Sequence, residues 1–224
     1  MAKTLTRVRT GKNFEIWSDG KNELIKFMDV RVSFPACGTK KVDENEEGEK
    51  TESWQVTPML EKGKHDAAKA EWDKLVKKLC EANPTEKNGV KSPAKIASEY
   101  NAMKNGDEKE RTEYENHWVV SCSEKKIHPT ARTRQGDLIM NDSEIDNIFY
   151  GGVYANVMVR PWFFNGIAKG KTKTYPKRIC AGFVGIQHLR DGEPFGEGRI
   201  DDSDAWSGVE GGDDDGLGDG DDDI

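Results

Sequence analysis

Residues 152–160 constrain the fold more than any other stretch, because they alternate without a break. Val153, Ala155, Val157 and Val159 fall on one side, and Tyr154, Asn156, Met158 and Arg160 on the other. A period of two is that of a half-buried β-strand. Its apolar side is small and β-branched, which suits a packed interior. The opposite side offers an aromatic, an amide, a thioether and a cation, a set that can stack on bases and pair with phosphates. A second apolar run follows at residues 178–190. Between the two lie Lys169, Lys171, Lys173, Lys177 and Arg178, interleaved with Gly166, Gly170 and Tyr175, and no acidic residue occurs from 161 to 189. The pattern reads as two strands joined by a basic hairpin loop. By itself such a hairpin is more often an ordinary solvated surface, so the rest of the chain must decide.

The other elements are shorter. Residues 29–35 alternate and are expected to end at Pro35. Residues 38–52 are almost devoid of apolar side chains and read as a solvated loop or long hairpin, and residues 53–60 as a second strand whose Trp54 belongs in the core. From 65 to 82 the period changes. Ala68, Trp72, Leu75, Val76 and Leu79 share one helical face, with charged residues on the rest and Asn83-Pro84 as the stop. A short helix is expected within 92–103, a strand at 117–122 and an acidic, turn-like stretch at 135–148. The first residues, with Lys3, Arg7 and Arg9, read as a frayed terminus or basic arm. Residues 12–29 show no clean period. No βαβ rhythm or repeat is visible, which leaves a mainly β chain: a small barrel with one capping helix and elaborated loops. Phe149, Phe163, Phe164 and Phe183 are expected to fill that barrel.

Charge separates two parts, residues 1–200 and 201–224. The net charge of -7 combines 34 basic with 41 acidic side chains, yet 11 of the acidic ones lie within 201–224, where there is no basic residue. The body is therefore mildly basic and the tail strongly acidic, a plan in which the body meets a polyanion and the tail is a disordered interaction segment. Four scattered cysteines without a C-x-x-C pair imply free thiols and no zinc, and no cofactor is expected. No apolar run is long enough to span a bilayer, so a cytoplasmic protein with no membrane partner is expected. Phosphate-cradling loops and a nucleophile elbow are missing, and the Gly151-Gly152 pair opens a strand where a phosphate cradle would open a helix. A catalytic role thus has little support.

The segments Tyr150-Gly-Gly-Val-Tyr-Ala-Asn-Val, Arg160-Pro-Trp162, Gly182-Phe-Val-Gly-Ile-Gln-His-Leu-Arg-Asp-Gly-Glu-Pro-Phe195 and Asp204-Ala-Trp206 resemble single-stranded-DNA-binding proteins of tailed bacteriophages, of the enterobacterial-phage type. The resemblance implies an OB-fold-like five-stranded barrel that binds single-stranded DNA in phage replication, recombination and repair, in the host cytoplasm. It also implies that the acidic tail recruits replication proteins such as a polymerase, helicase or nuclease. The chain departs from the usual tail by ending in Asp221, Asp222, Asp223 and Ile224, with no terminal aromatic. On residue chemistry the leading DNA contacts are Tyr154, Asn156, Arg160, Trp162 and the loop with Lys169, Lys171, Lys173, Tyr175, Lys177 and Arg178. Trp118, Lys125, Lys126, Arg132 and Arg134 form a second group. Two other classes stay open: an enzyme acting on nucleic acid, and an acidic DNA mimic that binds a host DNA-binding protein. The sequence also leaves a homodimer open.

Overall fold

The alternation at 152–160 becomes a strand of 11 residues in a computed structural model that describes residues 4–44, 48–83, 93–167 and 175–196. In chain order the elements are β1 (Thr6–Gly11), β2 (Phe14–Ser18), β3 (Glu23–Glu44), β4 (Lys50–Glu61), α1 (Asp66–Ala82), α2 (Pro93–Glu99), β5 (Met103–Asn105), β6 (His117–Val120), β7 (Cys122–Glu124), β8 (Thr130–Arg132), β9 (Leu138–Ile139), α3 (Asp142–Ile148), β10 (Tyr154–Phe164) and β11 (Arg178–Arg190). Five of these strands close into a ring. β3 pairs with β4, β4 with β7, β7 in parallel with β11, β11 with β10, and β10 returns to β3. This is the mainly β, OB-fold-like barrel expected from the sequence. The hairpin of β1 and β2 extends β3, while β6 and β5 extend β4.

Closure explains why β10 was so legible. Val153, Ala155, Val157 and Val159 are fully buried and meet Ile25, Phe27, Val30, Phe183 and Ile186 inside the ring. Helix α1 lays its apolar stripe against the barrel, and Trp72 packs at 6.0 Å from the ring of Phe27. Phe149 and Phe183 are core, as expected, and Phe163 packs partly against it. All four cysteines are free thiols, and burial pushes those of Cys37 and Cys122 upward. Among the described residues no helix is long and apolar enough to cross a membrane.

Several local expectations are corrected. Pro35 does not end its strand: β3 runs on to Glu44, bending at Asp29 (φ 54°) and Phe34 (φ 47°), and Pro35 sits where the register with β4 slips. A residue without an N–H is tolerated at such a bulge because no ladder bond is lost there. Of the expected arm, Arg7 and Arg9 are paired within β1 while Lys3 lies outside the described residues, and the aperiodic stretch after it supplies β2 and the start of β3. The acidic stretch at 135–148 contains α3, capped by the Asn141 side chain, which accepts from the N–H of Glu144 at 3.1 Å.

One buried carboxylate ties β1 to the helix. Glu71 on α1 is almost fully buried; it accepts from Nε of Arg9 at 2.7 Å and from Nζ of Lys74 at 3.1 Å. Burial pushes its pKa up, but the bonds from Arg9 and Lys74 outweigh this and hold it below the ordinary 4.5. A carboxyl lowered in the folded state stabilises the fold at pH above its unfolded value, and that contribution is lost as pH falls toward and through the folded value. We expect the melting temperature of the wild type to drop on acidification below about 4.5, and the Glu71→Gln variant to show a smaller drop over the same interval. Parallel pH curves for the two proteins would refute this.

Candidate nucleic-acid interface

The outer face of the ring positions the strongest of the expected contacts. Register aligns Gln55 of β4, Ser123 of β7, Gly182 of β11 and Arg160 of β10 in one row across four strands. Arg160 drapes over Gly182, where a Cβ would stand 3.4 Å from the Arg160 carbonyl and 3.6 Å from its guanidinium nitrogens. The next outward pair along β10 is Trp162 with Cys180, and the one after it Phe164 with Arg178. Small side chains at Ser123, Gly182 and Cys180 thus leave a shallow floor, with rings and cations standing above it. Trp162 is 41% exposed and meets Phe164 at right angles, with ring centres 6.1 Å apart. Phe164 lies 6.5 Å from Tyr175 and carries the Arg178 guanidinium 5.0 Å over its ring. Phe164, expected in the core, belongs instead to this outward aromatic group. Burial raises the Cys180 thiol, an effect the neighbouring Arg178 partly offsets.

Lys125 and Lys126 are brought to the same region by Glu124. Its Oε1 accepts from both of their backbone N–H groups at 2.9 and 3.0 Å, while Oε2 stands 3.9 Å from Arg160. Across from them the β3–β4 hairpin contributes Lys40, whose Nζ donates to the Lys125 carbonyl at 3.0 Å and lies 4.4 Å over the Trp54 ring. Trp54 packs partly against the core, as expected, yet its indole N–H reaches Gly38 O at 2.8 Å and its ring meets His128 at 4.7 Å. Sequence reasoning missed Lys40. The only signal was a Lys40-Lys41 pair within a polar run.

Other expected contacts lie elsewhere. Tyr154 is flanked by Arg31 on β3 and Arg190 on β11, and the Arg190 guanidinium sits 3.7 Å from its ring centre. Asn156 is buried; its amide accepts from Asp29 N at 3.0 Å and donates to Gln187 Oε1 at 3.0 Å, so it is spent inside the fold. Trp118 is held between Lys62 and Lys69, each 4.9 Å from its ring centre. Arg132 and Arg134 are exposed on the β8–β9 hairpin, with Arg132 donating to Gly136 O at 2.7 Å. Lys169, Lys171, Lys173 and the tail residues Asp221, Asp222, Asp223 and Ile224 lie outside the described residues.

Electrostatics separates the two surfaces. Around Tyr154 and Trp118, Lys64 and Arg190 pair with Asp29, Lys62 with Asp107 and Lys69 with Asp73. Burial raises the Asp29 pKa, and the Lys64 and Arg190 bonds more than reverse it. Those cations are already neutralised. By contrast, Lys40, Lys125, Lys126, Lys177 and Arg178 have no carboxylate partner among the described residues. Among the described residues no carboxylate has to be displaced there by an approaching anion, which favours a polyanion at this surface.

These features define a class: an OB-fold-like barrel whose outer face sets cations without a carboxylate partner among the described residues beside exposed aromatic rings over a floor of small residues. Comparison with known proteins then gives the particular family. The family model described as "Enterobacter phage Enc34, ssDNA-binding protein" matches residues 24–217, and the chain belongs to that family. Among solved structures it is similar to the single-stranded DNA-binding protein from bacteriophage Enc34, at 28% identity and a TM-score of 0.67, covering 91% of this chain and 99% of that one. It is also similar to the same phage protein in complex with ssDNA, at 26% identity and a TM-score of 0.70, covering 87% of this chain and 100% of that one. No curated protein matches the chain in sequence.

Proposed function

We propose that this protein binds single-stranded DNA without reading its sequence, along the outer face of β4, β7, β11 and β10. The observation that carries the reading is the exposed Trp162 ring beside Lys125, Lys126, Lys177 and Arg178, cations with no carboxylate partner among the described residues. Cations follow the phosphates, and stacking tolerates every base because every base has a π-face. A floor of Ser123, Gly182 and Cys180 offers few groups to a base edge, so nothing there discriminates sequence. A family relative solved in complex with ssDNA supports the assignment. Lys169, Lys171 and Lys173 add positive charge in the segment joining β10 to β11, and Arg132 and Arg134 add cations on the β8–β9 hairpin. Tyr154 and Trp118 stand outside this interface, beside Arg190, Lys62 and Lys69, which are paired with Asp29, Asp107 and Asp73. The protein acts in phage DNA replication, recombination and repair in the host cytoplasm, without chemistry of its own. Residues 201–224, ending in Asp221, Asp222, Asp223 and Ile224, recruit replication proteins.

The test is a fluorescence titration of a labelled oligothymidylate and a mixed-sequence oligonucleotide of equal length. Comparable affinity for the two is expected, and the Trp162→Ala variant should bind both more weakly by about 1–3 kcal/mol while melting like the wild type. Unchanged affinity in that variant would remove Trp162 from the interface, and a strong preference between the strands would refute binding without sequence readout.

A further inference from the structure

We propose that Asp146 is a positioning residue for DNA binding, acting through a bulge in β3 to hold Lys40 and Trp54 at the rim of the groove; the proposal rests on the reading of that rim as DNA-binding. From Ala36 to Lys41, β3 advances five positions while its partner β4 moves only two, from Gln55 to Ser53. The surplus residues 37–40 leave the ladder, and bulges of this kind re-aim a side chain or end a pairing. Backbone N–H groups freed in this way need other acceptors. One carboxylate on α3 supplies both, with Gly38 N donating to Asp146 Oδ1 at 2.8 Å and Thr39 N donating to Oδ2 at 2.9 Å. The approach requires glycine, since a Cβ on Gly38 would stand 2.0 Å from the Asp142 carbonyl oxygen.

The grip is passed on directly. Gly38 O accepts the Trp54 indole N–H at 2.8 Å, and Lys40, two residues further along, covers the Trp54 ring and reaches Lys125 O. A displacement of Gly38 therefore moves Trp54 and Lys40 together. Helix α3 is itself anchored, by the buried Ile145 and by Asp142, which lies 3.2 Å from His128, whose ring meets the same Trp54. Asp146 thus sets where one cation and one aromatic stand at the rim while touching no DNA itself.

The sign of the effect distinguishes positioning from charge. Removing a carboxylate beside a polyanion site by itself tightens binding. Positioning demands the opposite. In the full-length protein at fixed salt, Asp146→Asn should weaken binding to a labelled oligothymidylate by about three- to tenfold, comparable to Lys40→Ala, and the double variant should bind like either single one. Combined with Lys177→Ala the effects should multiply. Hydrogen exchange should accelerate in Asp146→Asn at Gly38 and Thr39 while α1 and β10 stay protected, which separates a released bulge from an unfolded protein. Affinity in Asp146→Asn equal to or tighter than the wild type, or effects of Asp146→Asn and Lys40→Ala that multiply, would overturn the positioning role. A wild type that binds no oligonucleotide would instead overturn the DNA-binding reading itself.

Discussion

Raising the salt concentration from 50 to 200 mM should weaken single-strand binding by roughly 250-fold. The outer face offers Lys40, Lys125, Lys126, Arg160, Lys177 and Arg178 to phosphates. If each neutralises one phosphate, counterion release from a single strand gives a slope of log affinity on log salt near −4, at about −0.7 per contact. Only Arg160 has a described acidic neighbour, Glu124, so the rest exchange free counterions for phosphate without first breaking an ion pair. Lys125→Ala should make the slope shallower by about 0.7, and Lys62→Ala, on the compensated surface, should leave it unchanged. A wild-type slope shallower than about −1 would show that stacking alone holds the strand.

Replacing Trp72 with alanine should cost about 3–5 kcal/mol of stability, the largest loss expected from a single substitution here. Trp72 is fully buried where α1 meets β3, against Phe27, and its indole N–H donates to Asn101 Oδ1 at 3.1 Å. The same oxygen also accepts from Met103 N at 3.1 Å. Truncation would empty a large volume and loosen the segment that begins β5. Denaturant unfolding should register the loss, and Trp72→Phe should restore part of it by refilling the space without the hydrogen bond. A loss below about 1 kcal/mol would mean that α1 is not part of the same cooperative unit as the barrel.

What could be seen in the sequence depended on how regular the backbone was. β10 and α1 were legible because each presents two chemically distinct faces at its own period, and Trp162, Lys177 and Arg178 could be grouped as candidates because they are close in sequence. β3 carries the same chemistry but breaks its period at Asp29 and Phe34 and again at the bulge, so most of its length looked aperiodic. Lys40 reaches the rim only through that bulge, which no local pattern announces. α3 was missed because Ile145 is its only buried residue. For Tyr154, Asn156 and Trp118, residue type was read but long-range company was not: Arg190, Asp29 and Lys69 reach them from elements far apart in the chain.

Closing the ring has a further consequence for the proposed binding, in which several copies would share one strand. Strand edges with free backbone groups are templates on which neighbouring copies fuse into cross-β aggregates. The five barrel strands expose no such template to each other, because each has a partner on both sides. Among the described residues the strands with an open edge along their whole length are β1, β5 and β9, while the charged end of the β3–β4 hairpin (residues 41–44 with 50–53) and β10 beyond Val159 are open on one side. β5 and β9 are three and two residues long, and β1 carries Arg7 and Arg9 with a register break between them. Short, charged or broken edges are poor seeds. High local concentration on a DNA strand can thus be reached while the molecules remain separate folded units.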